Sequence, residues 1–169
     1  CFFFWGSRVV FFPYDSGPYE GGIWAPAVTL IDGAQVYSFS HTCTPPYTMS
    51  PYGLFYYLIV GVGIKSFGLQ FWFARLLSVV CVGVCVYAIY KLVQRFRPGQ
   101  LYALIAVMLF LSQFSLQVWI GLQRPDVVAL TLSLIALLLG LRAKDEVKIW
   151  HLLFCAVCLF ASMLTRQTT

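Results

Sequence analysis

From Leu101 to Gln123 the chain runs through 23 residues without one charged side chain. A helix rises about 1.5 Å per residue and a bilayer's hydrocarbon core is about 30 Å thick, so this run is long enough to cross. Leu76–Tyr90, lengthened by the aromatic run Phe71–Phe73 ahead of Arg75, is a second span, and Val127–Leu141 and Ile149–Thr165 are uncharged runs of 15 and 17 residues. Their polar flanks have to sit at the interfaces or snorkel to them. With 60% hydrophobic and 10% charged residues and a mean hydropathy of +0.82, a soluble surface could not be covered, and lipid has to be the solvent.

These runs predict an all-α integral membrane protein, a multi-span helical bundle with spans at 71–92, 101–119, 125–142 and 149–165. Residues 1–7 read as the tail of a truncated first span, because the chain begins inside an aromatic run without an initiator Met. Lys91, Arg95 and Arg97 form one basic cluster and Arg142, Lys144 and Lys148 another, and short loops rich in Lys and Arg stay cytoplasmic. Residues 13–70 then form an extracytoplasmic first loop carrying short interfacial helices. Within it, Tyr52–Ile64 has 13 uncharged residues, about 20 Å as a helix, the length of an interfacial or re-entrant segment.

The loop is chemically the richest part of the chain. Pro13–Tyr57 holds seven of the ten tyrosines and six of the eight prolines, together with Asp15 and Glu20. Ser16-Gly17-Pro18 predicts a helix start with Ser16 as cap and Pro18 at the first helical position. Gly21-Gly22 and Pro26 weaken and kink that helix, which should end by Gly33. Asp15 beside a helix N-terminus would be held ionised, as a base must be. Thr44-Pro45-Pro46-Tyr47 and Ser50-Pro51-Tyr52 predict an extended strap, since proline pushes its predecessor out of helical geometry.

Taken in order, Asp15-Ser-Gly-Pro-Tyr19, Leu30-Ile-Asp-Gly33 with Tyr37, Pro45-Pro46-Tyr47, Pro51-Tyr52-Gly53-Leu54-Phe-Tyr-Tyr57, Phe67-Gly68 and Ala74-Arg75-Leu76-Leu77-Ser78 resemble the start of the membrane glycosyltransferases of the GT-C fold. That superfamily includes the protein O-mannosyltransferases and the lipid A aminoarabinose transferase. Arg124-Pro-Asp126-Val-Val-Ala129-Leu and Leu164-Thr-Arg166-Gln-Thr fit the same pattern. The resemblance covers nearly all of the chain, is specific as an ordered set and weak in any single element. It implies that residues 1–169 are the N-terminal part of one GT-C-like transmembrane domain in the cytoplasmic (inner) membrane. It further implies a polyprenyl-phosphate-linked sugar as donor and a glycan, lipid or protein acceptor on the extracytoplasmic side.

Asp15 matches the family's first-loop acid, and the resemblance implies that it is the catalytic base or an acceptor-orienting carboxylate. Many relatives carry Asp-Glu there, whereas this chain has Asp15-Ser16; Glu20 is the nearest second acid, though five residues along a helix is not the same face. Arg75, Arg124, Asp126, Arg166 and His41 are the candidates for donor phosphate or substrate binding. Each has a plainer reading: arginines at helix ends snorkel, Arg124 and Asp126 pair at a helix mouth, and a lone loop histidine is more often no ligand. Tyr19, Tyr37, Tyr47 and Tyr52 are candidates for stacking on sugar or lipid, though interfacial aromatics need no ligand to explain them.

Such a transfer needs an acceptor oxygen relieved of its proton and a leaving phosphate whose charge is stabilised, with an oxocarbenium-like carbon between them. One carboxylate and nearby cations suffice, and a divalent metal is left open. There is no Walker loop, dinucleotide fingerprint or zinc-protease helix. The net charge of +5 flanks spans without forming a continuous patch, which suits a bilayer and not nucleic acid. Cys81, Cys85, Cys155 and Cys158 lie in apolar runs, where thiols act as small hydrophobes. Two other readings compete: a non-catalytic subunit of a membrane complex, and a transporter fragment, which should place ionisable groups at mid-membrane.

Overall fold

The structure, a computed structural model, describes residues 10–14, 18–34, 36–37, 52–113, 122–145 and 148–166. Among them six helices are defined and no strand: α1 Pro18–Ile31, α2 Leu54–Phe67, α3 Trp72–Phe96, α4 Gln100–Leu111, α5 Pro125–Asp145 and α6 Ile149–Thr165. Trp72–Phe96 and Pro125–Ala143 are long and apolar enough to cross a membrane. The chain is a helical membrane protein.

Interhelical polar contacts fix how the long helices run. The Thr131 hydroxyl on α5 reaches the Cys81 carbonyl of α3 at 3.1 Å and the Cys85 thiol at 3.2 Å, and further along Arg95 Nη2 donates to the Leu141 carbonyl at 3.1 Å. Residue numbers rise together on the two helices, so α3 and α5 are parallel. Small hydroxyls of this kind join helices in lipid, where no hydrophobic force does so. Between α5 and α6 the numbers run opposite ways: Ser162 Oγ lies 2.9 Å from Ser133 Oγ and donates to the Ala129 carbonyl at 2.9 Å, while Asp126, earlier on α5, meets Arg166, just past the end of α6. α6 returns antiparallel along α5, and α4 packs on α3.

The bundle therefore has two unlike ends. One gathers the starts of α3 and α5 and the finish of α6; the other holds the turn between α3 and α4 and the connection between α5 and α6. α1 and α2 dock at the first end. They are not free surface helices: Ile23 and Ala27 of α1 and Tyr56, Tyr57 and Val60 of α2 share one buried core with Ala74, Cys81, Val82, Val127 and Val128. On α2 the outward positions Leu54, Leu58 and Val62 recur every fourth residue, so one face is core and the other apolar and exposed.

Helix ends follow local chemistry. α1 begins at Pro18 and keeps Pro26 inside. It closes at Gly33, whose φ of 77° admits the left-handed turn, with Gly33 N–H bonded to the Leu30 carbonyl and Ala34 N–H to that of Thr29. α3 outruns the expected end at 92, because Gln94 and Arg95 are good helix formers and Pro98 is what stops it. α4 closes short of the expected 119, where Ser112 Oγ takes the Leu109 carbonyl at 2.8 Å.

One close approach ties α2 to α6. Gly53 N–H donates to the Thr165 carbonyl at 3.1 Å, and a Cβ on Gly53 would collide with the Leu164 backbone carbonyl. Because backbone cannot step aside as a side chain can, Gly53→Ala should lower stability by about 1–3 kcal/mol. Gly22, with nothing near its missing Cβ, is the control: Gly22→Ala on the exposed face of α1 should be neutral or gain up to about 1 kcal/mol. Thermal unfolding in detergent checks both, and equal behaviour of the two variants would mean that the α2–α6 contact carries no load.

Candidate functional site

Arg75 sits one turn into α3, fully buried, and faces α1. Its Nε donates to Glu20 Oε1 at 2.9 Å and its Nη2 to Glu20 Oε2 at 2.6 Å, a two-pronged pair in which neither side chain exceeds 1% exposure. The rest of the guanidinium reaches the segment ahead of α1: Nη1 donates to the Phe12 carbonyl at 2.5 Å and Nη2 to the Tyr14 carbonyl at 2.7 Å. Phe71, one turn earlier, lays its ring 5.1 Å from the guanidinium carbon and 4.5 Å from the Trp24 ring.

Glu20 has a second partner. The Gln123 N–H donates to Glu20 Oε1 at 3.3 Å, and Trp24 Nε1 donates to Gln123 Oε1 at 2.9 Å. A single carboxylate thus joins α1, α3 and the turn that opens α5. Tyr56, fully buried on α2 in the core it shares with Ile23, Ala74 and Val127, brings a fourth element to the same end of the bundle.

On the neighbouring flank, Pro125 starts α5 and Asp126 occupies its first turn, where a carboxylate suits the positive end of the helix. Asp126 Oδ1 accepts from Arg166 Nε at 3.1 Å, with the Arg166 side chain 58% exposed. The two flank a cleft of about 330 Å³ between α5 and α6, lined also by Ser133, Ser162, Leu130 and Met163. Among the described residues no group of three His, Cys, Asp or Glu side chains converges to hold a metal ion.

The tyrosines close a loop. Tyr37 Oη donates to the Tyr52 carbonyl at 2.6 Å and Tyr52 N–H to Tyr57 Oη at 3.1 Å, with the Tyr37 and Tyr57 rings 6.4 Å apart. Burial pushes the Tyr37 hydroxyl above its ordinary pKa, so it stays protonated and keeps donating. The chain that leaves at Tyr37 therefore returns at Tyr52 to the same spot.

The sequence candidates divide accordingly. Arg75 and Glu20 meet, Asp126 and Arg166 meet, and Tyr37 and Tyr52 meet. Asp15, Ser16, His41, Cys43, Pro45, Pro46 and Tyr47, and the side chain of Tyr19, lie outside the described residues, and Asp15 follows directly on the Tyr14 carbonyl that Arg75 holds. Arg75 is engaged by protein, not snorkelled, and Glu20 is its counter-ion. Gln123 and Trp24 were missed as site residues; an amide beside Arg124-Pro-Asp126 at the end of an apolar run was the one available signal.

A helical membrane protein whose dispersed charged motifs converge at one end of its bundle is the class defined by this geometry. Residues 50–169, well over half of the chain, match the family described as dolichyl-phosphate-mannose-protein mannosyltransferase, and the chain belongs to that GT-C family of glycosyltransferases that use polyprenyl-phosphate sugar donors. No curated protein and no solved structure matches the chain. Asp15 and Glu20 precede the matched residues, while Arg75, Arg124, Asp126 and Arg166 fall within them.

The ion pair is open to direct test. Removing one partner strands a buried charge, so Glu20→Leu or Arg75→Leu should each cost about 3–5 kcal/mol, whereas the two combined should cost less than either. Unfolding of the three variants in detergent gives the cycle; additive losses would show that the two side chains do not pair.

Proposed function

We propose that this chain forms the catalytic end of a glycosyltransferase that moves a hexosyl or pentosyl group from a polyprenyl-phosphate donor to an acceptor hydroxyl, on the extracytoplasmic side of the inner membrane. The observation that carries it is the Arg75 guanidinium, which holds the two backbone carbonyls leading into Asp15 while its α3 belongs to the matched family region. In this reading α3, α5 and α6 cross the bilayer, the uncharged run that opens with α4 brings the chain back across between α3 and α5, and the basic clusters around Arg95 and Arg142 keep the opposite end cytoplasmic.

Asp15 takes the proton of the acceptor hydroxyl. The acceptor oxygen then bonds to the anomeric carbon as the bond from that carbon to the donor phosphate breaks, and the electron pair leaves with the phosphate. Arg166, exposed beside the cleft between α5 and α6, is the cation placed to receive that charge; Asp126 orients it. Glu20 and Arg75 act on position: they fix the residues before Asp15 and do not touch the sugar. Tyr19, Tyr47 and His41 belong to the acceptor or donor surroundings, and the acceptor is a glycan, lipid or protein hydroxyl.

Asp15→Asn keeps shape and hydrogen-bonding reach but loses the basic lone pair, so turnover by the purified full-length protein should fall by a factor on the order of 10² to 10⁴. Donor binding, read by lipid co-purification, should survive in Asp15→Asn and weaken in Arg166→Gln. Full turnover in Asp15→Asn would overturn the mechanism and favour a non-catalytic subunit.

The sidedness has its own measurement. In intact cells a membrane-impermeant thiol reagent should label Cys43 and should not label Gln94→Cys, and the reverse pattern would put the proposed site on the cytoplasmic face.

A further inference from the structure

At the far end of the bundle from Arg75, a cleft of about 300 Å³ opens between α3 and α5, lined by Tyr87, Lys91, Gln94, Arg95, Leu138 and Arg142. Three of its six lining residues are cations and none is an acid. They come from two helices that the fold holds parallel, so their convergence is a product of packing and not of one basic stretch of sequence. Arg95 is fixed by its bond to the Leu141 carbonyl at 3.1 Å, Lys91 lies 5.7 Å over the Tyr87 ring, and Gln94 Nε2 donates to Tyr90 Oη at 2.8 Å. Arg142 stands exposed on the α5 side.

Like charges gathered in one cleft repel, and a shared anion between them removes that cost. The floor narrows the choice of anion. Leu138 and the exposed Tyr87 ring give the cleft an apolar wall continuous with the outward faces of spans that lie in lipid, and basic pockets between transmembrane helices suit anionic headgroups. We propose that this cleft is a phosphate site, occupied by the phosphodiester headgroup of an anionic membrane lipid whose acyl chains follow the groove between α3 and α5. It is separate from the proposed transfer site and does not depend on that reading.

The test uses the full-length protein in nanodiscs and in detergent. Phosphatidylglycerol should be retained on native mass spectrometry in preference to phosphatidylcholine and should raise the thermal midpoint. Each cation at an anionic headgroup layer is worth about fivefold, so Lys91→Gln with Arg142→Gln should lower that retention roughly 25-fold. Arg95 is left in place because it also braces α5. Lys91→Arg with Arg142→Lys keeps the charge and should keep the retention, which separates loss of the site from loss of folding. Inorganic phosphate alone is the second arm: a rise in midpoint with phosphate in wild type, abolished in the double glutamine variant, with no preference among lipids would assign the site to free phosphate. Equal retention of the two lipids by wild type with no response to phosphate, or undiminished phosphatidylglycerol preference in the glutamine variant, would overturn the proposal.

Discussion

Burying Arg75 against Glu20 is the most demanding feature of this fold. Taking two charges out of water costs several kcal/mol per ion even after relaxation, and attraction between them offsets this only when the geometry is good and the remaining donors are met. Both conditions hold. The pair is two-pronged, at least four of the guanidinium's five N–H groups have named acceptors, and the second Glu20 contact goes to a backbone N–H. A leucine pair would join α1 to α3 as firmly. It could not hold the Phe12 and Tyr14 carbonyls, and the path of the chain into Asp15 would lose its fixed point.

That fixed point explains why distant parts of the sequence meet. Glu20 collects α1, α3 and the turn before α5; Asp126 and Arg166 then pin the start of α5 to the finish of α6; and Gly53, by having no Cβ, lets the backbone of α2's entry bond directly to Thr165. Each link is polar and sits at the same end of the bundle, where water and headgroups would otherwise compete for these groups. Toward mid-membrane the links change character to single hydroxyls, Thr131, Ser133 and Ser162, on small-residue faces. Lipid offers no hydrophobic force between helices, so such contacts and close packing set the register there.

How much of this a reader of the sequence could see depended on whether the determining interaction was local. Uncharged length alone located α3 and α5, and Pro18 with Gly33 bracketed α1, because span length and cap chemistry are properties of neighbouring residues. The early close of α4 at Ser112 was hidden inside an uncharged run, since a hydroxyl competing for a carbonyl leaves no mark on hydropathy. The partnership of Glu20 with a residue 55 positions away was not legible at all. Helical spacing spoke against Glu20 as an acid beside Asp15, but could not say what else it contacts. Burial of α1 and α2 escaped for the same reason: their apolar residues read equally well as facing lipid.

The division of labour between acids follows from that geometry. A carboxylate locked between a guanidinium and a backbone N–H would give up the contacts that hold three elements together if it moved a proton, and the proposed mechanism therefore gives Glu20 a positioning role. Asp126 is committed to Arg166 in the same way, though at a more exposed site where the commitment costs less to break. In the proposed mechanism Asp15 is the base, and the chain leading to it is braced where Arg75 holds the Phe12 and Tyr14 carbonyls. A mechanism with one carboxylate as base and an arginine for the departing phosphate needs no second acid, and the serine at position 16 is then compatible with transfer.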